Sequence, residues 1–236
     1  MRANLEEACA AYVASKDRLD SDERELSGGT WHFRMMRWLQ GWTRPKRCWT
    51  SIHPSKFVAA TLPFSYTSSD ASTMKPVSIP SFFILSGRYQ DYSESVFFTP
   101  RPVIEVMDWS DNLVREAPRY HQTPRSCQIG DLPLFIALEG KNRVELFKAA
   151  QREMTSLVTP SPFPPANALE LHKSWPFRIY SVSDGTRRAV LPIPEIVLPV
   201  LQAYGVDMRP TPNFSIRDFF KIRSIRQDLY QQQMRP

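Results

Sequence analysis

Residues 132–152, LPLFIALEGKNRVELFKAAQR, restrict the possible folds more than any other segment. Residues 134–138 are all apolar and predict a buried strand, Glu139 and Gly140 predict a tight turn, and a helix is predicted from Asn142. A helix leaves its first N–H groups without intrahelical acceptors, and these groups favour an anion. The segment therefore predicts a strand–turn–helix unit with an anion-binding turn.

Proline divides much of the remaining chain into short pieces. The sequence has 21 Pro but only 8 Gly, and some Pro occur in alternating pairs such as Pro192 and Pro194. Proline has no N–H donor and restricts the residue before it, so it interrupts helices and interior strands. We therefore expect short elements joined by extended connections.

Short apolar runs between Pro, Gly and Asp predict strands that alternate with helices. The predicted strands are residues 82–85, 96–98, 103–107, 134–138, 177–182 and 189–191. The predicted helices are residues 3–19, 30–41, 110–116, 142–154, 194–204 and 216–233. Interleaved strands and helices indicate an α/β or α+β fold.

Composition divides the chain into three parts. We interpret residues 1–70 as a helical extension that is basic and rich in Trp. Residues 61–80 are rich in Ser, Thr and Pro, and we interpret them as a loop. Residues 77–205 predict the α/β domain, and residues 210–236 predict a basic C-terminal helix.

The charge balance favours acidic partners. The net charge is +6, and the isoelectric point is about 9.3. A basic protein attracts polyanions, nucleic acid first, although charge alone gives neither fold nor sequence specificity.

The three cysteines, Cys9, Cys48 and Cys127, are odd in number and widely separated. They form neither a disulfide framework nor a metal-binding spacing, which indicates a reducing compartment. No apolar signal core and no run of about 18 apolar residues is present. We therefore expect a cytoplasmic protein that does not cross a membrane.

A basic segment without acidic residues extends from Leu26 to Ser69. Cations interleaved with tryptophans are typical of nucleic-acid surfaces, because cations neutralise phosphates and aromatic rings stack on bases. The spacing of Trp31, Trp38 and Trp42 instead favours one buried helix face. We interpret the tryptophans as packed and the cations as exposed. The predicted nucleic-acid contacts are Arg34, Arg37, Arg44, Lys46 and Arg47.

Two further basic groups are weaker candidates for the same role. Asp184 and Gly185 predict a hairpin turn that carries Arg187 and Arg188. The C-terminal helix is predicted to bury Ile216, Phe219, Phe220 and Leu229. Its outward cations would be Lys221, Arg223 and Arg226, with solubility as the alternative role.

The run Glu139-Gly140-Lys141-Asn142-Arg143 resembles a box of the ParB/sulfiredoxin superfamily. In both families a Gly-x-x-Arg turn before a helix contacts nucleotide phosphates, those of CTP or ATP. The resemblance implies a mixed sheet with flanking helices and phosphate contacts from Gly140, Asn142 and Arg143, with Lys141 adding charge. Lys141 stands where sulfiredoxins carry their reactive cysteine, and no second ParB-type phosphate box is present. An ordinary turn with a solvated Arg143 is the alternative interpretation.

No catalytic constellation follows from the sequence. The four histidines lack metal-ligand spacing, and no nucleophile elbow or Walker loop occurs. Glu105, Asp108 and Glu139 are the weak candidates for a metal site. Whether the chain is an enzyme is therefore left open.

These observations favour a bacterial-type, nucleic-acid-associated protein, with DNA as the expected partner and a nucleotide as the candidate cofactor. One alternative is a non-enzymatic assembly subunit that docks on a partner protein through its Trp-rich helices. Another is a metal-dependent nuclease or nucleotide hydrolase. The leading hypothesis predicts that Arg143→Ala weakens binding with little loss of stability.

Overall fold

The computed structural model describes residues 2–21, 52–67, 71–87, 103–116, 118, 121–174, 179–211 and 216–231. Within these ranges the chain is a mixed α/β protein with six α-helices and nine strands. The helices are α1 Arg2–Ser21, α2 Pro54–Thr61, α3 Val103–Glu116, α4 Lys141–Ala149, α5 Pro194–Tyr204 and α6 Ile216–Gln231. The strands are β1 Lys75–Pro80, β2 Ile84–Leu85, β3 Arg125–Ile129, β4 Phe135–Glu139, β5 Glu153–Ser161, β6 Glu170–Ser174, β7 Ile179–Ser183, β8 Arg188–Val190 and β9 Asp207–Thr211.

The described strands form two mixed sheets. The first has the order β1-β5-β3-β4-β2. In it β5 is antiparallel to β1 and parallel to β3, while β4 is antiparallel to β3 and parallel to β2. The second has the order β8-β7-β6-β9, in which β7 is antiparallel to β8 and β6, and β9 is parallel to β6.

The apolar face of α1 packs into the same buried cluster as the sheets. Cys9, Tyr12 and Val13 are at most 1% exposed, and they share this cluster with Ile136 of β4 and Val197 of α5. Burying such side chains contributes about 1.5–3 kcal/mol each. The helix predicted at residues 3–19 is therefore confirmed.

Helix α5 begins and ends where the sequence predicted it. Pro194 occupies the first turn, where a missing N–H costs nothing, and Gly205 follows the helix with a φ of 102°. Strand β4 is also confirmed, displaced by one residue from residues 134–138. The hairpin at Asp184 and Gly185 is confirmed, since β7 and β8 pair antiparallel on either side of it.

The strand predicted at residues 103–107 is wrong, because these residues begin helix α3. Val106, Ser110 and Val114 are buried at a spacing of four residues, while Val103 and Ile104 are about half exposed. The apolar residues therefore follow a helical period that a five-residue window does not reveal.

The helix predicted at residues 142–154 is too long. Helix α4 ends at Ala149, Gln151 has a φ of 52°, and Glu153 begins β5. Positive φ interrupts a right-handed helix. The β-branched residues Thr155 and Val158 then favour the strand.

The loop interpretation of residues 61–80 is wrong at its end, because residues 75–80 form β1. Pro76 and Pro80 are tolerated there since β1 is at the edge of the sheet among the described strands, paired on one side with β5. Of the strand predicted at 82–85, only Ile84 and Leu85 are extended. The strand predicted at 96–98 and the helix predicted at 30–41 lie outside the described residues.

Candidate functional site

The turn between β4 and α4 has the predicted strand–glycine–helix geometry. Gly140 has a φ of 77°, and its carbonyl accepts from the N–H groups of Arg143 at 3.0 Å and Val144 at 3.4 Å. The first-turn amides without an intrahelical acceptor are therefore those of Lys141 and Asn142. The Gly140 N–H itself donates to Oε1 of Glu139 at 3.2 Å.

Arg143 points into the protein rather than toward an external ligand. The residue is 6% exposed, and its guanidinium lies 5.1 Å from the centroid of the Trp109 ring. Nη1 donates to Oγ of Ser110 at 3.2 Å, and Nη2 donates to the carbonyl of Gln122. In this conformation Arg143 joins α4 to α3 and to the segment before β3.

Gly140 is needed here for two reasons. Its positive φ disfavours any residue with a Cβ. In addition, a Cβ at this position would lie 3.0 Å from Nη2 of Arg143. The glycine therefore allows the guanidinium to fold back against the turn.

Lys141 and His53 form a hydrogen-bonded pair at the entrance of α4. Nζ of Lys141 lies 3.1 Å from Nε2 of His53. Since an ammonium group only donates, Nε2 accepts, and a neutral imidazole then carries its proton on Nδ1. Within the described part of the chain, nothing accepts from this buried Nδ1.

The surroundings disfavour positive charge on both members of the pair. Burial lowers the pKa of His53, and the neighbouring Lys141, Lys56 and Lys16 lower it further. Burial also lowers the pKa of Lys141, with Glu139 opposing and Lys16 reinforcing that shift. A bound anion would offset this accumulation of positive charge.

A buried ion pair positions His53. Lys16 is completely buried, and its ammonium donates to Oδ2 of Asp20 and to the carbonyl of Ser86. Oδ1 of Asp20 accepts from the N–H of Ile52 at 3.0 Å, immediately before His53. These partners of Lys16 lie far from it in sequence, apart from Asp20 one helical turn later.

A second charged group extends the same network onto α4. Lys148 donates to Asp17 at 2.6 Å and to Oγ of Ser86 at 3.3 Å. Ser86 in turn donates to Glu145 at 2.6 Å. These contacts join α1, α4 and the residue that follows β2, so the orientation of α4 is fixed by polar as well as apolar contacts.

The predicted cations of the hairpin are engaged within the protein. Arg187 pairs with Asp184 at 2.5 Å, donates to the hydroxyl of Tyr66 at 3.0 Å and lies 4.8 Å from the centroid of the Phe64 ring. Arg188 donates to Oγ of Ser181 at 2.8 Å. Both arginines therefore stabilise the turn and its neighbours, and a role in nucleic-acid contact stays a prediction.

Helix α6 is only partly as predicted. Leu229 is buried, but Phe219 and Phe220 are 43% and 59% exposed, so their predicted inward orientation is wrong. Arg226 donates to the carbonyl of Pro192 at 2.6 Å and ties α6 to the segment before α5. Lys221 is exposed, and Arg223 is half-buried.

The predicted contacts of the Trp-rich segment lie outside the described residues. They are Arg34, Arg37, Arg44, Lys46 and Arg47. Their contact with nucleic acid stays a prediction.

The predicted metal ligands do not come together. Glu105 and Asp108 lie on α3, and Asp108 accepts from Arg152 at 3.3 Å. Among the described residues, no three His, Cys, Asp or Glu side chains are grouped so that they could hold a metal ion. None of the described helices is long and apolar enough to cross a bilayer.

No protein-family model matches the chain, and neither a curated protein nor a solved structure matches it. We therefore infer function from the side chains at the entrance of α4.

Proposed function

We propose that this chain is a nucleic-acid-associated protein that holds a phosphate at the entrance of α4. The observation that carries the proposal is the approach of Lys141 to His53, 3.1 Å apart beside the first turn of the helix. A helix N-terminus and the ammonium of Lys141 attract the same kind of ligand, a compact anion, and His53 would become cationic when that anion binds. The net charge of +6 favours a polyanion over an isolated phosphate.

The proposed contacts differ from those implied by the resemblance. The ligands would be Lys141, His53 and the first-turn amides of Lys141 and Asn142. Arg143 is instead a positioning residue, since its guanidinium holds the turn from inside the protein. The carboxylate of Glu139 stands beside the site and repels a phosphate there, so the cationic groups and the helix N-terminus must outweigh it.

The finer fold assignment is also a proposal. A ParB/sulfiredoxin-like domain is supported by the strand, the positive-φ glycine and the helix, placed within a mixed sheet. Such a domain would accept either a nucleotide or a DNA backbone at this turn. DNA is the partner that the basic composition favours.

A titration of fluorescent DNA, RNA and CTP at about 50 and about 200 mM salt tests the proposal. Neutralised phosphates release counterions, so the affinity for DNA should fall steeply with salt. We expect Lys141→Gln to weaken DNA binding about five- to tenfold and to reduce the salt slope by about one.

The matched control is Lys75→Gln, which removes one exposed positive charge from the edge strand β1. It should weaken binding by less than twofold, as expected for a distant exposed charge. Equal binding by the Lys141 variant and the Lys75 variant would exclude the site at α4.

An assembly subunit is the second candidate. It is favoured by the exposed rings of Phe219 and Phe220, whose centroids lie 5.9 Å apart on α6. Aromatic side chains are enriched at protein interfaces. A protein of this class would show little salt-dependent DNA binding, so the same titration distinguishes the two candidates.

A further inference from the structure

A cavity of about 520 Å³ lies between α1, the β3–β4 connection and the end of α5. Three aromatic side chains form part of its wall: Phe83 after β1, Phe135 in β4 and Tyr204 at the end of α5. Its volume is typical of sites for small organic ligands, which are mostly apolar with few polar groups. The cavity shares no lining residue with the entrance of α4.

The charged groups of the cavity are all acidic. Glu6 on α1 and Asp131 between β3 and β4 contribute carboxylates, and no Lys, Arg or His occurs among the described residues that line it. This is a local excess of negative charge on a protein with a net charge of +6. The cavity therefore disfavours the phosphates proposed for α4.

Tyr204 connects the aromatic and acidic parts of the cavity. Its ring packs against Phe163 with centroids 5.8 Å apart, and its hydroxyl donates to the carbonyl of Pro164 at 3.3 Å. Burial raises the pKa of the Tyr204 hydroxyl, and the charge of Asp131 raises it further. The ring is thus held in place close to a carboxylate.

We propose that this cavity binds an organic ammonium ion with an aromatic or aliphatic body. Aromatic faces attract cations through their quadrupole, and carboxylates attract them through their charge. The apolar wall would receive the hydrocarbon body of the ligand. Gln128 offers an additional amide group for hydrogen bonding.

Three indole derivatives of similar size test the charge preference: tryptamine, the neutral tryptophol and the anionic indole-3-acetate. Binding to the full chain is measured by titration in NMR spectra. We expect tryptamine to bind with a dissociation constant of about 1 mM, as for a small fragment. Tryptophol should bind at least about tenfold more weakly, since it loses the attraction of both carboxylates, and indole-3-acetate more weakly still.

Glu6→Gln and Asp131→Asn test the carboxylates, and both residues are exposed, so the fold should tolerate the changes. Each should weaken tryptamine binding about three- to fivefold and leave tryptophol binding unchanged. Glu7→Gln is the control, because Glu7 is exposed beside Glu6 but does not line the cavity.

Ala203→Trp tests the cavity itself, since the larger ring would fill it. It should abolish binding of both tryptamine and tryptophol, provided that its circular dichroism spectrum matches that of the parent. Equal affinity for all three indole derivatives, or an unchanged tryptamine affinity in both carboxylate variants, would overturn the proposal. Lys141→Gln should leave tryptamine binding unchanged, so this site can fail independently of the proposed function.

Discussion

The guanidinium of Arg143 lies 5.1 Å from the centroid of the Trp109 ring, which links the first turn of α4 to α3. The same guanidinium donates to Ser110 and Gln122. A residue whose sequence position suggested ligand contact is thus a structural link between two helices. The expectation that Arg143→Ala would leave stability almost unchanged is therefore revised.

Arg143→Met should lower the free energy of unfolding by about 2–3 kcal/mol. The substitution removes the donors to Ser110 and Gln122 in a buried location and also removes the cation–π contact. Urea denaturation followed by circular dichroism measures the change. Lys141→Met is the control and should cost less than about 1 kcal/mol, because Lys141 is only half-buried. Equal stability of the two variants would contradict the proposed linking role.

Gly140→Ala should destabilise the protein more than Gly185→Ala. Both glycines have a positive φ, 77° and 83°, so each substitution costs about 1–2 kcal/mol of backbone strain. At Gly140 the new Cβ would also lie 3.0 Å from Nη2 of Arg143, whereas at Gly185 no atom of the described residues lies within 4 Å. The additional cost at Gly140 should be about 1 kcal/mol, since the buried guanidinium must shift. Thermal denaturation of both variants measures this difference, and equal losses would show that Arg143 does not restrict the turn.

Lys16→Met should destabilise the protein by about 3–5 kcal/mol. It leaves the buried carboxylate of Asp20 without its counter-charge. The double variant Lys16→Met with Asp20→Asn should lose clearly less than Lys16→Met alone, because no unpaired charge is then buried. A double-mutant cycle in urea measures this coupling. Strict additivity would mean that the two side chains stabilise the protein independently.

Asp20 should also make stability depend on pH. Burial raises the pKa of its carboxyl from 3.8 to about 6, against the opposing effect of Lys16. The folded state therefore binds this proton more tightly than the unfolded state does. The free energy of unfolding should consequently contain a contribution that decreases as the pH rises from about 4 to about 6. Urea denaturation at a series of pH values measures this decrease, and the Asp20→Asn variant should lack it. If the variant shows the same pH dependence of stability as the parent, other groups cause the decrease.

DNA binding should strengthen at low pH through His53. The pKa of His53 is lowered from 6.5 by burial and by the neighbouring lysines, and a bound phosphate would raise it again. Binding should then take up a proton, so affinity should increase between about pH 7.5 and about pH 5.5. Fluorescence titrations at constant ionic strength measure this increase. His53→Gln should show a smaller increase than the parent, while Lys75→Gln should retain the full effect. Identical pH profiles for the parent and the His53 variant would exclude His53 from the site.

Local signals explain the elements that the sequence predicted well. Helix α5 follows from Pro194 at its start and Gly205 after its end, and both residues act through their own backbone angles. The turn at Gly140 follows for the same reason, since a glycine accepts the positive φ found there.

Elements defined by distant partners were predicted poorly. Pro76 and Pro80 disfavour a strand prediction at β1. The strand forms because β5, almost eighty residues later in the sequence, pairs with it. Helix α3 was divided into a strand and a helix, because its buried residues become recognisable only when α4 and β5 are known to pack on it. Short apolar runs alone do not distinguish these cases.

The sequence by itself determined the strand, the glycine turn and the helix around residue 140, since backbone angles and apolar periodicity are local properties. The tertiary structure decided which side chains this turn presents. The guanidinium of Arg143 is buried against Trp109 and Ser110, which lie more than thirty residues earlier in the sequence. Lys141 is brought to His53 from 88 residues away, and Lys16 reaches Ser86 across 70 residues. Such contacts depend on how the helices and sheets pack together, so the sequence predicted an anion site with Lys141 and Asn142 but could not indicate the approach of His53.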